Sequence, residues 1–254
     1  VFLLFFSCLL RFIQFFISNC IYDVKNLNTP TLTLVFCSAL LPLIIFYTFR
    51  FFPLIFSTPN FLNTMIPLSM SLIFIFIYLS FNTTNIKSII SYLAFSQVSI
   101  IFYIFCLKEY HAAMFYFITL SLSITMLYLS IGYVVSKFNN ISNVKVMGGI
   151  IFKMPSMFLF TLIAFLSTSG VPFFSGFYSH EVIISTFYNS DQAILVPSTL
   201  IGISASFLIS YVFLKNIILI FLGKNKGNIH EFNKISENSS TNKLIFFCLG
   251  LSLV

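Results

Sequence analysis

Residues 157–185 read MFLFTLIAFLSTSGVPFFSGFYSHEVIIS. The stretch begins and ends as an apolar helix and is interrupted between, at Gly170, Pro172 and Gly176. Proline deletes a backbone donor and glycine opens left-handed conformations, so such residues close together stop a helix. At membrane depth an interrupted backbone survives only where protein or a water-filled cavity satisfies the freed groups. Half-helices of this kind are typical of proteins that move ions. Just after the break stand His180 and Glu181. An imidazole beside a carboxylate is able to hold or pass a proton near neutral pH.

The chain around this stretch sets its surroundings. Of 254 residues, 59% are hydrophobic and only 7% are charged, with a mean hydropathy of +1.03. Soluble domains are about a quarter charged, so too little polar surface remains here to cover a water-soluble body. A soluble enzyme is excluded, and a disordered chain is excluded by the same apolar excess. A membrane-crossing helix takes about 20 apolar residues, which predicts about eight spans. Barrel strands alternate over about 10 residues, whereas 61–81 and 192–222 are long and uniformly apolar, so the spans are helical. They are expected at 1–22, 30–56, 61–81, 88–107, 111–136, 154–187 with the interruption, 192–222, and from 243 onward. Pro30 and Pro59 fall at span edges, where a missing N–H is harmless, and Pro42 should kink its span.

The net charge of +7 reflects scattered loop lysines rather than a nucleic-acid surface. With one crossing for the interrupted span, Lys25, Lys87, Lys137, Lys145, Lys153, Lys224, Lys226, Lys234 and Lys243 share one side and Lys108 takes the other. That asymmetry marks the lysine-rich side as matrix or cytoplasm. Cys8, Cys20, Cys37, Cys106 and Cys248 lie in apolar runs without a CxxC pair and read as packing residues. The histidines are too scattered for a haem pair, and no phosphate loop or metal-ligand cluster stands out. Residues 1–22 lack the basic start and cleavage site of a signal peptide. The chain opens at Val1 and stops within an apolar run, as a fragment or one piece of a longer protein would. The 36 Phe against no Trp suggest A/T-rich, organellar coding.

Ionisable residues that spans cannot avoid are costly in lipid and mark candidate sites. They are Arg11, Arg50, His180, Glu181 and Lys215. Arg50, near a span end, fits a snorkelling role.

Five segments, in order and in register, resemble elements of the antiporter-like membrane subunits of respiratory complex I. They are TPTLTLVFCSALLPLIIFYTFRFFPLIF (29–56), NIKSIISYLAFSQVSIIF (85–102), VMGGIIFKMP (146–155), SGVPFFSGFYSHEVII (169–184) and LISYVFLKNIILIFLGK (208–224). Ser96–Gln97 and the string GFYS favour the subunit 5 branch over the subunit 2 and 4 branches. Mrp-type cation/proton antiporters are related.

The resemblance implies an all-α polytopic membrane protein built from inverted five-helix repeats. Residues 1–56 would be the last two helices of a first repeat and 57–222 a complete second repeat, with its broken helix near 170–180. Residues 223–254 would be a polar matrix-side loop and the start of a further helix. A separate chain would supply the missing front half. The implied activity is proton translocation coupled to electron transfer from NADH to ubiquinone, in the mitochondrial inner membrane, beside other membrane-arm subunits and lipid. No cofactor would be bound by this chain. Arg11 takes the family's central lysine position, and an arginine hardly deprotonates. His180–Glu181 replace a Lys-Asp pair, and Lys215 would bias neighbouring titrations. Phe36, Tyr116, Leu120 and Ile124 stand where the family has relay histidines and a lysine, so that relay looks lost or rerouted. Ser121, Ser123 and Thr125 are hydroxyls suited to hold water there. A standalone antiporter and a degenerate scaffold of the membrane arm are the alternative readings.

Overall fold

The structure is a computed structural model. It describes Phe46, Phe49, Arg50 and residues 59–107, 109–138, 141–188 and 195–224. The expected spans at 1–22 and from 243, the kink at Pro42, Arg11, Phe36 and most of the 30–56 span lie outside the described residues.

Six helices follow in order: α1 (Pro59–Asn82), α2 (Ile86–Cys106), α3 (Tyr110–Lys137), α4 (Pro155–Thr168), α5 (Ser175–Tyr188) and α6 (Leu195–Ile217). A short 3-10 turn, Ile150–Phe152, precedes α4, and α6 runs on into a π-helical turn, Ile218–Leu222. Stretches long and apolar enough to cross a membrane are Met65–Asn82, Ile86–Cys106, Tyr110–Lys137 and Gly202–Leu222. The first three match the spans expected at 61–81, 88–107 and 111–136 to within a few residues, and the fourth falls inside the span expected at 192–222.

The bundle is apolar outside, and its largely apolar interior also holds many polar side chains. Phe74, Ile75, Tyr78, Phe115, Ile118, Leu159, Phe207 and Leu214 are exposed, while Ser69, Ser91, Ser96, Gln97, Thr119, Ser123, Thr161, Ser167, Thr168 and Ser179 are buried. A water-soluble protein buries its large apolar side chains and exposes its polar ones. The large apolar side chains left on the outside suit a surface solvated by lipid.

Helix α2 forms the centre, and all 21 of its residues are buried. It packs between α1 and α3; α4 and α5 lie on α3; α6 closes against α1 and α4. Lipid tails supply no hydrophobic drive for this packing, so close approach through small residues must hold it. Ser88, Ser91, Ala94, Ser96 and Ser99 give α2 that character. Their hydroxyls are mostly satisfied on their own helix: Ser91 donates to the Ser88 carbonyl at 2.8 Å, Ser96 to Leu93 at 2.7 Å and Ser99 to Phe95 at 3.0 Å. Back-bonding of this kind makes a serine tolerable in a dry interior.

The lysine-rich end is clasped by backbone. Asn85 caps α2 by accepting from the Lys87 N–H at 3.2 Å. Asn85 and Asn143 form an antiparallel bridge, in which the Ile86 N–H donates to Ser142 at 2.8 Å and the Val144 N–H donates to Thr84 at 2.9 Å. Lys87, expected among the loop lysines, instead lies in the first turn of α2 and is buried.

The interruption falls at residues 169–174, between α4 and α5. It has the hydrogen bonds of a Schellman helix stop: the Gly170 N–H donates to Ser167 at 3.3 Å and the Val171 N–H to Leu166 at 3.1 Å. Gly170 takes the left-handed φ of +72° that this stop requires. Each half-helix has 14 residues. That is about 21 Å of rise, short of the ~30 Å hydrocarbon core, so only the two together cross. Helix α4 starts beside Lys153, and α5 meets the opposite end of α3 at Tyr116 and Thr119. The interrupted span therefore crosses once.

Candidate functional site

The break opens onto a polar layer drawn from four helices. The Tyr116 hydroxyl on α3 donates to the Gln97 amide oxygen on α2, and both residues are buried. One turn along α3, the hydroxyl oxygens of Thr119 and Ser179 of α5 lie 3.2 Å apart. Each is also within reach of a carbonyl on its own helix, Thr119 with Tyr116 at 3.0 Å and Ser179 with Gly176 at 2.9 Å. A hydroxyl with two acceptors in range can swap its donor direction, which a proton-conducting chain needs.

His180 reaches the same layer. Its ring stands edge-on to Tyr116, with centroids 5.3 Å apart and planes at 72°. It hydrogen-bonds to the Thr168 backbone at the end of α4. Its Nε2 is buried and has no hydrogen-bond partner among the described residues. Gly170 makes room for the ring: a Cβ there would sit 2.8 Å from His180 Cδ2. Gly176 sets α5 directly on α4, since a Cβ at that position would lie 1.7 Å from the Ser167 carbonyl oxygen.

Between these groups is a cavity of about 10 Å³, lined by Gln97, Tyr116, Thr119, Leu120, Ser123, Ser167, Thr168 and Gly176. That admits roughly one water, and several hydroxyls are present to bind it. Among the described residues no Lys, Arg, Asp or Glu lines the cavity. The layer is built from hydroxyls, an amide and one imidazole.

The residues singled out in the sequence are thus dispersed. His180 faces the layer, whereas Glu181, about 100° further round the helix, is exposed on the bundle surface. Lys215 sits at the lysine-rich end, its Nζ 5.6 Å from the Phe81 ring centroid. Arg50 is exposed. Of the hydroxyls on α3, Ser123 lines the cavity, while Ser121 and Thr125 do not. All three donate to carbonyls one turn back, at 2.8, 3.0 and 2.7 Å for Ser121, Ser123 and Thr125. Tyr116 and Leu120, which the resemblance sets at relay positions, line the cavity, and Ile124 is buried.

Gln97, Thr119, Ser167, Thr168 and Ser179 were not foreseen as site residues. Gln97 carried a signal: an amide within 21 residues of apolar helix has to find a partner inside the protein. The hydroxyls carried none, because a membrane helix satisfies serine and threonine on its own carbonyls at many positions.

A lipid-facing exterior, a broken crossing helix and hydroxyls buried between helices define a polytopic helical membrane protein. The chain belongs to the NADH:quinone oxidoreductase/Mrp antiporter transmembrane family, whose model matches residues 1–208. It is 33% identical to NADH-quinone oxidoreductase subunit L of Rickettsia typhi over 145 residues, covering 56% of this chain and 21% of that protein. It is 30% identical to NADH-ubiquinone oxidoreductase chain 5 of Dictyostelium citrinum over 139 residues, 55% of this chain and 21% of the other. A shorter match, 41% over 78 residues, links it to chain 5 of Lycodon semicarinatus, covering 31% of this chain and 13% of that protein. The chain spans about a fifth of the length of the first two relatives.

Proposed function

We propose that this chain is part of a membrane-arm subunit of a proton-pumping NADH:quinone oxidoreductase and carries one segment of its proton path. The observation that bears the reading is the convergence of Gln97, Tyr116, Thr119, Ser179 and His180 at the helix break. His180 is the group there whose ordinary titration range includes neutral pH. In this mechanism the imidazole takes up a proton on the α5 side and passes it through the cavity water to the Tyr116–Gln97 pair. Glu181 would feed His180 from the outer surface of α5, and Arg11 and Lys215 would act as fixed cations that bias the neighbouring titrations. NADH oxidation would occur in other subunits, with no cofactor held by this chain.

Chain 5 and subunit L relatives favour this assembly over a standalone antiporter. A mitochondrial inner-membrane location and a separate chain for the front half belong to the same proposal. A second reading, a scaffold that no longer conducts, draws on Leu120 and Ile124 at relay positions. Replacing His180 by Leu in the intact complex separates the two. Protons pumped per NADH should fall while the assembly remains whole; unchanged pumping with an intact assembly would leave the scaffold reading standing.

A further inference from the structure

A second cavity, about 310 Å³, opens at the lysine-rich end between the end of α1, the start of α2, the end of α6 and the 144–145 segment. It shares no lining residue with the cavity of the polar layer. Lys145 and Lys215 both line it, together with Asn82 and Thr84, and no Asp or Glu does among the described residues. Its wall is built rather than incidental. The backbone clasp between Thr84 and Val144, at 2.9 Å, holds the Lys145 segment against the α1–α2 turn. The Phe81 ring supports the Lys215 ammonium, and Tyr211 stacks on Phe81 at 6.0 Å.

The geometry points to a binding site for the phosphate of an anionic phospholipid. Two cations without a carboxylate among the lining residues call for an anion. The position selects its source. The cavity lies where α1 and α6 end, at the depth of lipid headgroups. Toward the middle of the bundle α1 exposes Ile75 and Tyr78 and α6 exposes Phe207, Tyr211 and Leu214, a track for acyl chains. Basic pockets between helices on the positive side of a membrane are suited to such headgroups. A free phosphate would gain the lysines and lose the apolar track.

The test uses the membrane assembly that contains this chain, delipidated and reconstituted into phosphatidylcholine vesicles with a trace of photoactivatable phosphatidylglycerol. Crosslinked peptides from residues 78–84 and 211–219 are expected. Unlabelled phosphatidylglycerol should compete, and excess phosphatidylcholine or 10-fold more inorganic phosphate should not. In K145Q/K215Q the crosslink should drop about tenfold or more, from the loss of two cation contacts. The K145R/K215R variant should retain it, with the assembly checked by its native-gel band. Competition by phosphatidylcholine would reduce the feature to ordinary boundary lipid. Competition by inorganic phosphate would make it a soluble-anion site. Labelling unaffected by K145Q/K215Q in an intact assembly would overturn the assignment.

Discussion

At the scale of single residues, the Tyr116–Gln97 contact is the most consequential. The Tyr116 phenol donates its hydrogen bond to the buried Gln97 amide oxygen. Removing one partner strands the other in a dry interior, which costs about 1–3 kcal/mol. Tyr116→Phe and Gln97→Leu should each slow proton uptake by inverted membrane vesicles several-fold. The double variant should lose no more than the worse single, because groups that act as a pair are not additive. Independent effects that multiply would show that the two side chains serve different steps. Gly170 works at the same scale. Its φ of +72° and its contact with the His180 ring both exclude a side chain. Gly170→Ala should therefore lower both assembly and pumping, read as complex yield and protons per NADH.

At the scale of elements, the two half-helices depend on one close approach. Any side chain at residue 176 meets the Ser167 carbonyl, so Gly176→Ala must push α5 away from α4 and open the layer. Gly202, within α6, has nothing within 4 Å of where its Cβ would be. Gly202→Ala should be neutral or should stabilise the helix by up to about 1 kcal/mol. Thermal stability of the solubilised assembly compares the two. Equal effects would mean that the α4–α5 contact contributes nothing. The helices themselves were legible in advance. Spans of twenty-odd apolar residues bounded by Asn, Lys and Pro leave little choice of element, and the break at 170–176 announced itself through glycine and proline. Lys87 was misplaced, because a lysine at a helix edge looks the same in sequence whether it faces water or is covered by a neighbouring loop.

At the scale of the whole molecule, a single crossing by α4 and α5 places Phe152 and the last turn of α5, at the exposed Ser185, toward opposite sides of the membrane. Phe152→Cys should react with an impermeant maleimide from the lysine-rich side and Ser185→Cys from the other. Labelling of both from one side would turn the interrupted span into a re-entrant loop and reverse the sidedness of everything after it. The lysine asymmetry, which comes from loop composition, agrees with the single crossing.

Composition and periodicity alone determined the solvent, the helical class and the broken span, because those depend on how many apolar residues run together and where glycine and proline interrupt them, whereas the family was legible only through the resemblance of five segments in register. Tertiary structure decided which polar residues act together. His180 and Glu181 are neighbours in sequence, yet a helical step of about 100° sends one inward and the other out. Gln97, Tyr116, Thr119 and Ser179 come from three helices and meet only when α2, α3 and α5 pack, with glycine at 176 setting the distance between α5 and α4. Lys145 and Lys215 likewise share a cavity only because the 84–144 backbone clasp draws their segments together.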